Sequence, residues 1–346
     1  MVSKHLLDMV MLAEVGLLVL AVGLFFAHGI WLFLRERRLL RLATGARTAL
    51  AHLITSGAVN VQDIEALRKL PADVQVITFL EMARTLTGTG KDNLRFVAEQ
   101  VGMLDRARKL CESRLWQRRL RGARILSQMD VADPLILKLL ADTHPAIRAQ
   151  AAEWAAAQPS LPVIAAMLTL LADPATQARF SVQNALLRMG GIIAGPLTGF
   201  LETHSGPAAE AGLRVAESVA EPSFGPAALS LSRTEDIGVR VASANLLGAI
   251  GDAGAAARLI ELLADDDSRV RAAAAHALGR MQHWRAASLL AERLRDPVWR
   301  VRRAAGLGLR TLGAPGALFL RRATNGDDRF AADMAQQVLD LPAAAG

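Results

Sequence analysis

Tyrosine is missing from all 346 residues, aromatic residues of every kind make up only 4% of the chain, and Cys111 is its single cysteine. One cysteine can form no internal disulfide, which fits a reducing compartment. So few aromatics leave little for stacking nucleic-acid bases, and the abundance of Ala and Leu suits a stack of helices better than a sheet protein. Catalytic signatures are scarce as well. The seven His residues are scattered, with no His-Glu dipeptide and no His-Glu-x-x-His, and His276 and His283 have no set of carboxylates around them, so no metal is expected. The segment 85–92 contains Gly90-Lys91, but a phosphate-binding loop needs Gly where Thr85 stands and Ser or Thr where Asp92 stands. Cys111 falls in an apolar-periodic helix and reads as packed rather than nucleophilic. The expectation is a protein that is not an enzyme and has no cofactor.

What the chain does have is repetition. In the stretch 262–313, Asp265, Val270, Arg271 and Leu278 recur at one constant offset as Asp296, Val301, Arg302 and Leu309. Counting back from Arg271 by the same period gives Arg240, then, past a degenerate unit near Glu210, Arg179 and Arg148. In four units an Asp stands six residues before the Arg: Asp142 with Arg148, Asp173 with Arg179, Asp265 with Arg271, and Asp296 with Arg302. Within each unit apolar residues follow helical spacing, are interrupted by an Asp-rich turn and resume, which predicts a helix, a tight turn and a second helix. Asp-Pro at 173–174 and 296–297 and His-Pro at 144–145 mark that turn, with Asp expected to cap the second helix and Pro to sit in its first turn. Two short helices cannot bury a core alone, so neighbouring pairs must stack.

This unit resembles the HEAT repeat in its short bacterial form, over residues 112–340 and about seven units of period 31. The resemblance implies an all-α solenoid and a structural ladder, in which each Arg of Arg148, Arg179, Arg240, Arg271 and Arg302 bonds an Asp of its own or the next unit. Some HEAT-like enzymes bind iron through His-Glu pairs, which this chain lacks, and others are lyases, which keeps a HEAT-like lyase as an alternative reading.

Ahead of the repeats, residues 15–34 contain no Asp, Glu, Lys or Arg. Twenty residues of helix span about 30 Å, one hydrocarbon core, so the run predicts a single transmembrane helix preceding the solenoid. Arg35, Arg37, Arg38, Arg41 and Arg47 follow it and only Lys4 precedes it. That asymmetry predicts an inner-membrane protein with residues 1–14 outside and the repeat domain cytoplasmic. The basic run also suits anionic lipid headgroups. Ala13, Gly16, Gly23 and Ala27 lie close to one face of the span and offer a contact for another membrane helix. Residues 35–111 keep helical patterning without the repeat and are expected as a spacer and amino-terminal cap, with helices at 61–70, 72–87, 91–101 and 104–111. Residues 341–346 read as a disordered tail.

The face of the second helices away from the assigned core lies one, five and eight residues after each ladder Arg. It comprises Ala149, Glu153 and Ala156; Phe180, Asn184 and Leu187; Val241, Asn245 and Gly248; Ala272, His276 and Gly279; and Arg303, Leu307 and Arg310. This face reads as small, apolar and neutral with a basic end, and an exposed apolar strip suits a protein partner. The net charge of +7 keeps a nucleic-acid-binding alternative open, but much of that charge lies beside the predicted span or at 112–124. The reading is therefore a membrane-anchored scaffold or regulatory subunit that docks a protein, itself a membrane protein such as an envelope-polymer glycosyltransferase, with no nucleic acid expected.

Overall fold

The structure, a computed structural model, describes the backbone of residues 4–56 and 61–342; within the first helix, side chains before position 16 and at 19, 32, 35, 36, 38–41 and 55–56 lie outside the described residues. The chain divides after Val131 into two compact units.

The first unit holds α1 (Lys4–Ser56), α2 (Val61–Arg68), α3 (Ala72–Thr85), α4 (Thr89–Gln100), α5 (Met103–Cys111) and α6 (Trp116–Gln128). The helix expected at 61–70 ends at Arg68, because Pro71 disfavours helical backbone in the residue before it. The carbonyls left over at that end do not go unmet: the buried amide of Gln75 donates to Leu67, Arg68 and Leu70 at 2.9, 3.1 and 3.1 Å. Leu50, Leu53, Phe79, Leu94, Leu104 and Leu126 form the core of this unit. Gly122 lets α6 lie directly on α5, since a Cβ there would come within 2.5 Å of the Ala107 carbonyl. Cys111 is buried in α5.

The uncharged run 15–34 falls within α1. Its longest uninterrupted stretch of described side chains is 20–31, about 18 Å of helix, and among the described residues no helix is long and apolar enough to cross a membrane. Of the positions named for a membrane-helix contact, Gly16 and Gly23 have no atom within 4 Å of where a Cβ would stand, Ala27 is exposed, and the side chain of Ala13 lies outside the described residues. So do those of Arg35, Arg38 and Arg41, whereas Arg37 lies over the Phe33 ring at 4.3 Å.

The second unit is a stack of seven helix pairs. They are α7 (Leu135–Leu140) with α8 (Pro145–Ala155), α9 (Leu161–Thr169) with α10 (Thr176–Met189), α11 (Ala194–Thr203) with α12 (Gly206–Val219), α13 (Gly225–Leu231) with α14 (Ile237–Ile250), α15 (Ala253–Leu262) with α16 (Ser268–Arg280), α17 (Ala287–Arg293) with α18 (Trp299–Thr311), and α19 (Ala314–Thr324) with α20 (Arg329–Leu339). The second helices pack side by side, α8 on α10, α12 on α14, α14 on α16, α16 on α18 and α18 on α20. Small residues make this approach possible. A Cβ on Gly248 would stand 2.5 Å from that of Ala277, and one on Gly279 would stand 2.5 Å from the Gly308 Cα. Gly248 and Gly279, eight after Arg240 and Arg271, therefore belong to the seam between helices, not to the outward face where sequence spacing put them, because side chains that close to a neighbouring helix axis must be nearly absent. Of the tail expected at 341–346, Leu341 and Pro342 are described and the Pro342 carbonyl accepts a hydrogen bond from Arg310, while 343–346 lie outside the described residues.

The turn inside each pair also departs from expectation. Asp173 and Asp296 do not cap the second helix; Ala175 and Val298 do, in extended conformation. Each Asp instead folds its carboxylate over the turn, Oδ1 accepting the N–H two residues on, at 2.8 Å from Ala175 and 2.9 Å from Val298. Asp142 and Asp265 do the same with His144 and Asp267, at 2.8 and 2.9 Å. These are Asx turns, and the proline after Asp173 or Asp296 holds that Asp extended. Of Pro145, Pro174 and Pro297, expected in a first turn, Pro145 sits in one, behind a His144 cap.

Candidate protein-docking groove

The recurring Arg and Asp side chains meet across units. Arg271 aims the Nε and Nη2 edge of its guanidinium at Asp296 of the next unit, 2.8 and 3.0 Å from its two oxygens, and Nη1 donates to the carbonyls of Asp265 and Asp266 at 2.8 and 2.9 Å. Arg240 holds Asp265 in the same way at 2.9 and 3.0 Å, and Arg148 holds Asp173 at 2.5 and 2.8 Å. A planar fork matches a carboxylate in two places at once. The carboxylates of Asp173, Asp265 and Asp296 thus go to the Arg of the preceding helix pair, and Asp265 gives its own Arg271 only a backbone carbonyl, so Asp265 and Arg271 are not an ion pair.

Burial explains why the fork is needed. The Asp173 and Asp296 side chains are 2% and 3% exposed. Burial pushes both carboxyls up, but the hydrogen bonds from Arg148 or Arg271, the turn N–H and nearby guanidinium charges outweigh it and hold both below the usual carboxylate range. The ladder stops where a partner is missing. Ala209 stands in the arginine place of α12, and Thr234 stands in the aspartate place of the unit that follows. Among the described residues Arg179 makes no ion pair: its Nη1 donates to the Asp173 carbonyl at 3.2 Å, and His204, which occupies the next aspartate place, lies against the Phe200 ring at 3.9 Å. Arg302 likewise donates only to the Asp296 and Pro297 carbonyls, with its guanidinium over Phe330 at 5.0 Å. At this last pair the helix that would supply the next Asp starts one residue early, and Asp328 caps it.

Along α12, α14 and α16 runs a groove of about 550 Å³. Val241, Asn245, Ala272 and His276, four of the residues assigned to the outward face, line it. Ala272 is nearly buried and forms floor, Val241 and Asn245 are half-buried, and His276 is exposed. The walls are charged. Glu210, Arg214 and Glu217 rise from α12, and Arg269 and Arg300 close the other end. Glu210 pairs with Arg214, Glu217 with Arg280 at 3.0 Å, and Arg269 turns back on Asp267, whose carboxyl the Arg269 hydrogen bond lowers to about 2. Sequence reasoning missed the first three because it passed over the degenerate unit; the one, five and eight spacing counted from Ala209 gives Glu210, Arg214 and Glu217.

A continuous apolar strip is not what the structure holds. Phe180 and Leu187 are exposed on α10 beside exposed Asn184, but none of the three lines the groove. Leu307 is half-buried, since α20 packs on α18 and covers part of that face. Glu153 pairs with Arg188 at 2.6 Å, and Arg303 lies over Trp299 at 5.5 Å. Among the described residues no group of His, Cys, Asp and Glu could hold a metal ion.

Residues 223–339 match the family model for HEAT repeats. The match covers about a third of the chain, its last four helix pairs. The chain's fold is an all-α solenoid of such helix pairs, and no curated protein matches it. Among solved structures it is similar to yeast importin-β (Kap95p), at 13% identity over 79% of this chain and 47% of that one, with a TM-score of 0.48. It is also similar to the CpcE–CpcF complex of phycocyanin lyase from Nostoc, at 21% identity over 60% of this chain and 92% of that one, TM-score 0.36. Human deoxyhypusine hydroxylase follows at 19% identity over 72% of this chain and 96% of that one, TM-score 0.31. The chain spans less than half of importin-β.

Proposed function

We propose that the protein is a non-enzymatic docking subunit, held at the inner membrane by residues 15–34, whose HEAT pairs grip a membrane-protein partner in the cytoplasm. The groove along α12, α14 and α16 carries this reading. Repeat stacks bind partners along extended concave surfaces, and this one combines a small-residue floor with side chains of both charges. Glutamates in the walls speak against a phosphate backbone as occupant, which places nucleic acid second. The anchor is supported by twenty uncharged residues in one helix, with Leu17, Leu24 and Phe25 each more than 60% exposed, and by the arginines that follow them. An envelope-polymer glycosyltransferase would be a partner of the expected kind.

The test is a photo-crosslinking amino acid placed at His276 in the groove or at Arg321 on a first helix, in the full-length chain in its native membrane. One crosslinked protein from His276 and none from Arg321 is expected, and Asn245→Ala should weaken the capture. Equal capture from both positions, or nucleic acid crosslinked at His276, would overturn the reading.

A further inference from the structure

A second groove, of about 520 Å³, lies wholly in the first unit among α3, α5 and α6. Its floor is aliphatic: Met103, Ala107 and Ile125 are buried, and Val76 and Leu110 are half-buried. Around that floor stand Arg106, Lys109, Arg118 and Arg121, against the single carboxylate of Asp73. Arg121 pairs with Asp73 at 2.6 Å, both side chains about half exposed. Arg106 is held in place by neutral acceptors, the Gln75 side-chain oxygen and the Val101 carbonyl, so its charge is positioned without being cancelled. The rim therefore keeps a net charge of about three, and single-sign charge above an apolar trough attracts an anion that carries an apolar body.

We propose that this groove binds an anionic phospholipid drawn from the bilayer, with an acyl chain along the aliphatic floor and the phosphate among Arg106, Lys109 and Arg118. A docked protein helix is the weaker fit, because protein interfaces favour aromatic anchors and a rim of mixed charge, and this lining has no aromatic residue and one acid. The proposal rests on the membrane-anchor reading only for its source of lipid.

The test uses the full-length chain in phosphatidylcholine nanodiscs containing photoactivatable phosphatidic acid or photoactivatable phosphatidylcholine, with labelled peptides mapped by mass spectrometry. Phosphatidic acid should label the segments around Val76 and Leu110 at least about tenfold more than phosphatidylcholine does. Lys109→Gln with Arg118→Gln removes two rim charges that form no ion pair among the described residues, and should cut that label about thirtyfold, since each charge near a lipid surface is worth about fivefold. Label within 15–34 should not change. Equal groove label from both lipids, groove label unaffected by the double variant, displacement by millimolar inorganic phosphate, or displacement by a synthetic acidic amphipathic helix would each refute the groove as a lipid site. Groove label absent with label in 15–34 present refutes this proposal alone, whereas no label in 15–34 from either lipid refutes the anchor.

Discussion

Removing Arg271 tests whether the ladder holds the stack together. In Arg271→Ala, Asp296 loses both charge-assisted hydrogen bonds and keeps the Val298 N–H at 2.9 Å, in a place where its side chain is 3% exposed. The carbonyls of Asp265 and Asp266 lose their donor as well. Breaking one partner out of a buried pair costs about 3–5 kcal/mol. Arg280→Ala is the matched control, because Arg280 and Glu217 are 39% and 27% exposed, and such pairs are worth about 0–1 kcal/mol. Hydrogen exchange of the full-length chain in detergent reads the difference locally. Protection in α16 and α18 should fall by about two to three and a half decades for Arg271→Ala and by less than one for Arg280→Ala.

The cost should also depend on pH, with a definite sign. In the native protein the Asp296 carboxyl lies below the ordinary value, burial being outweighed by Arg271 and the turn N–H. Its contribution is therefore fully present above the unfolded value of about 3.9 and is lost as pH falls through the folded one. Without Arg271, burial dominates and raises the carboxyl, so the variant regains stability on taking up a proton as the native protein begins to lose it. The gap should be widest near neutrality and shrink toward pH 4. A gap that widens on acidification, or equal losses in Arg271→Ala and Arg280→Ala, would refute the ladder as the structural element.

Alkaline phosphatase fused after Gly346 should be inactive and a fluorescent protein there bright; the reverse would place the repeats outside the cytoplasm. Gly279→Ala puts a methyl 2.5 Å from the Gly308 Cα and should cost about 1–3 kcal/mol by overpacking, seen as a lower melting temperature, whereas Gly199→Ala, which meets nothing within 4 Å, should cost no more than about 0.5 kcal/mol. Ala209→Arg and Thr234→Asp should each destabilise alone, and together they should build the missing rung. A double-mutant coupling of about 1–3 kcal/mol is expected, and additive melting shifts would count against the rung geometry.

Helix pairs and their stacking were legible because the pattern that specifies them is local: apolar spacing, a turn and a fixed period. The outward face was legible only in part. Spacing on an isolated helix cannot say which flank a neighbouring helix will cover, and Gly248 and Gly279 turned out to be the flank. Their lack of a side chain was the available clue, since a solvent-facing position gains nothing from glycine and loses helix stability by it. The charged walls at Glu210, Arg214 and Glu217 were hidden for another reason: without Arg and Asp the third unit has no marker from which to count.

The direction of the ladder shows how a periodic sequence conceals a contact and where it gives the contact away. When units repeat at a fixed period, an Asp that stands a set distance before its own Arg also stands a set distance after the Arg of the previous unit. In a perfect array the two pairings therefore predict the same sequence, and only geometry separates them. Imperfect units remove that degeneracy. Arg240 has Thr234, not an acid, in the aspartate place of its own unit, yet Asp265 fills that place in the next one. Ala209 has no guanidinium to offer, and Thr234 is the position it would have bonded. An own-unit pairing would leave Arg240 without a carboxylate; a next-unit pairing loses donor and acceptor together at Ala209 and Thr234, leaving neither a buried acid without its base nor a fork without its acid there. The structure follows the second pattern, with Arg240 on Asp265 at 2.9 and 3.0 Å. The weakest unit of the array thus carries the information on how its stronger units are joined.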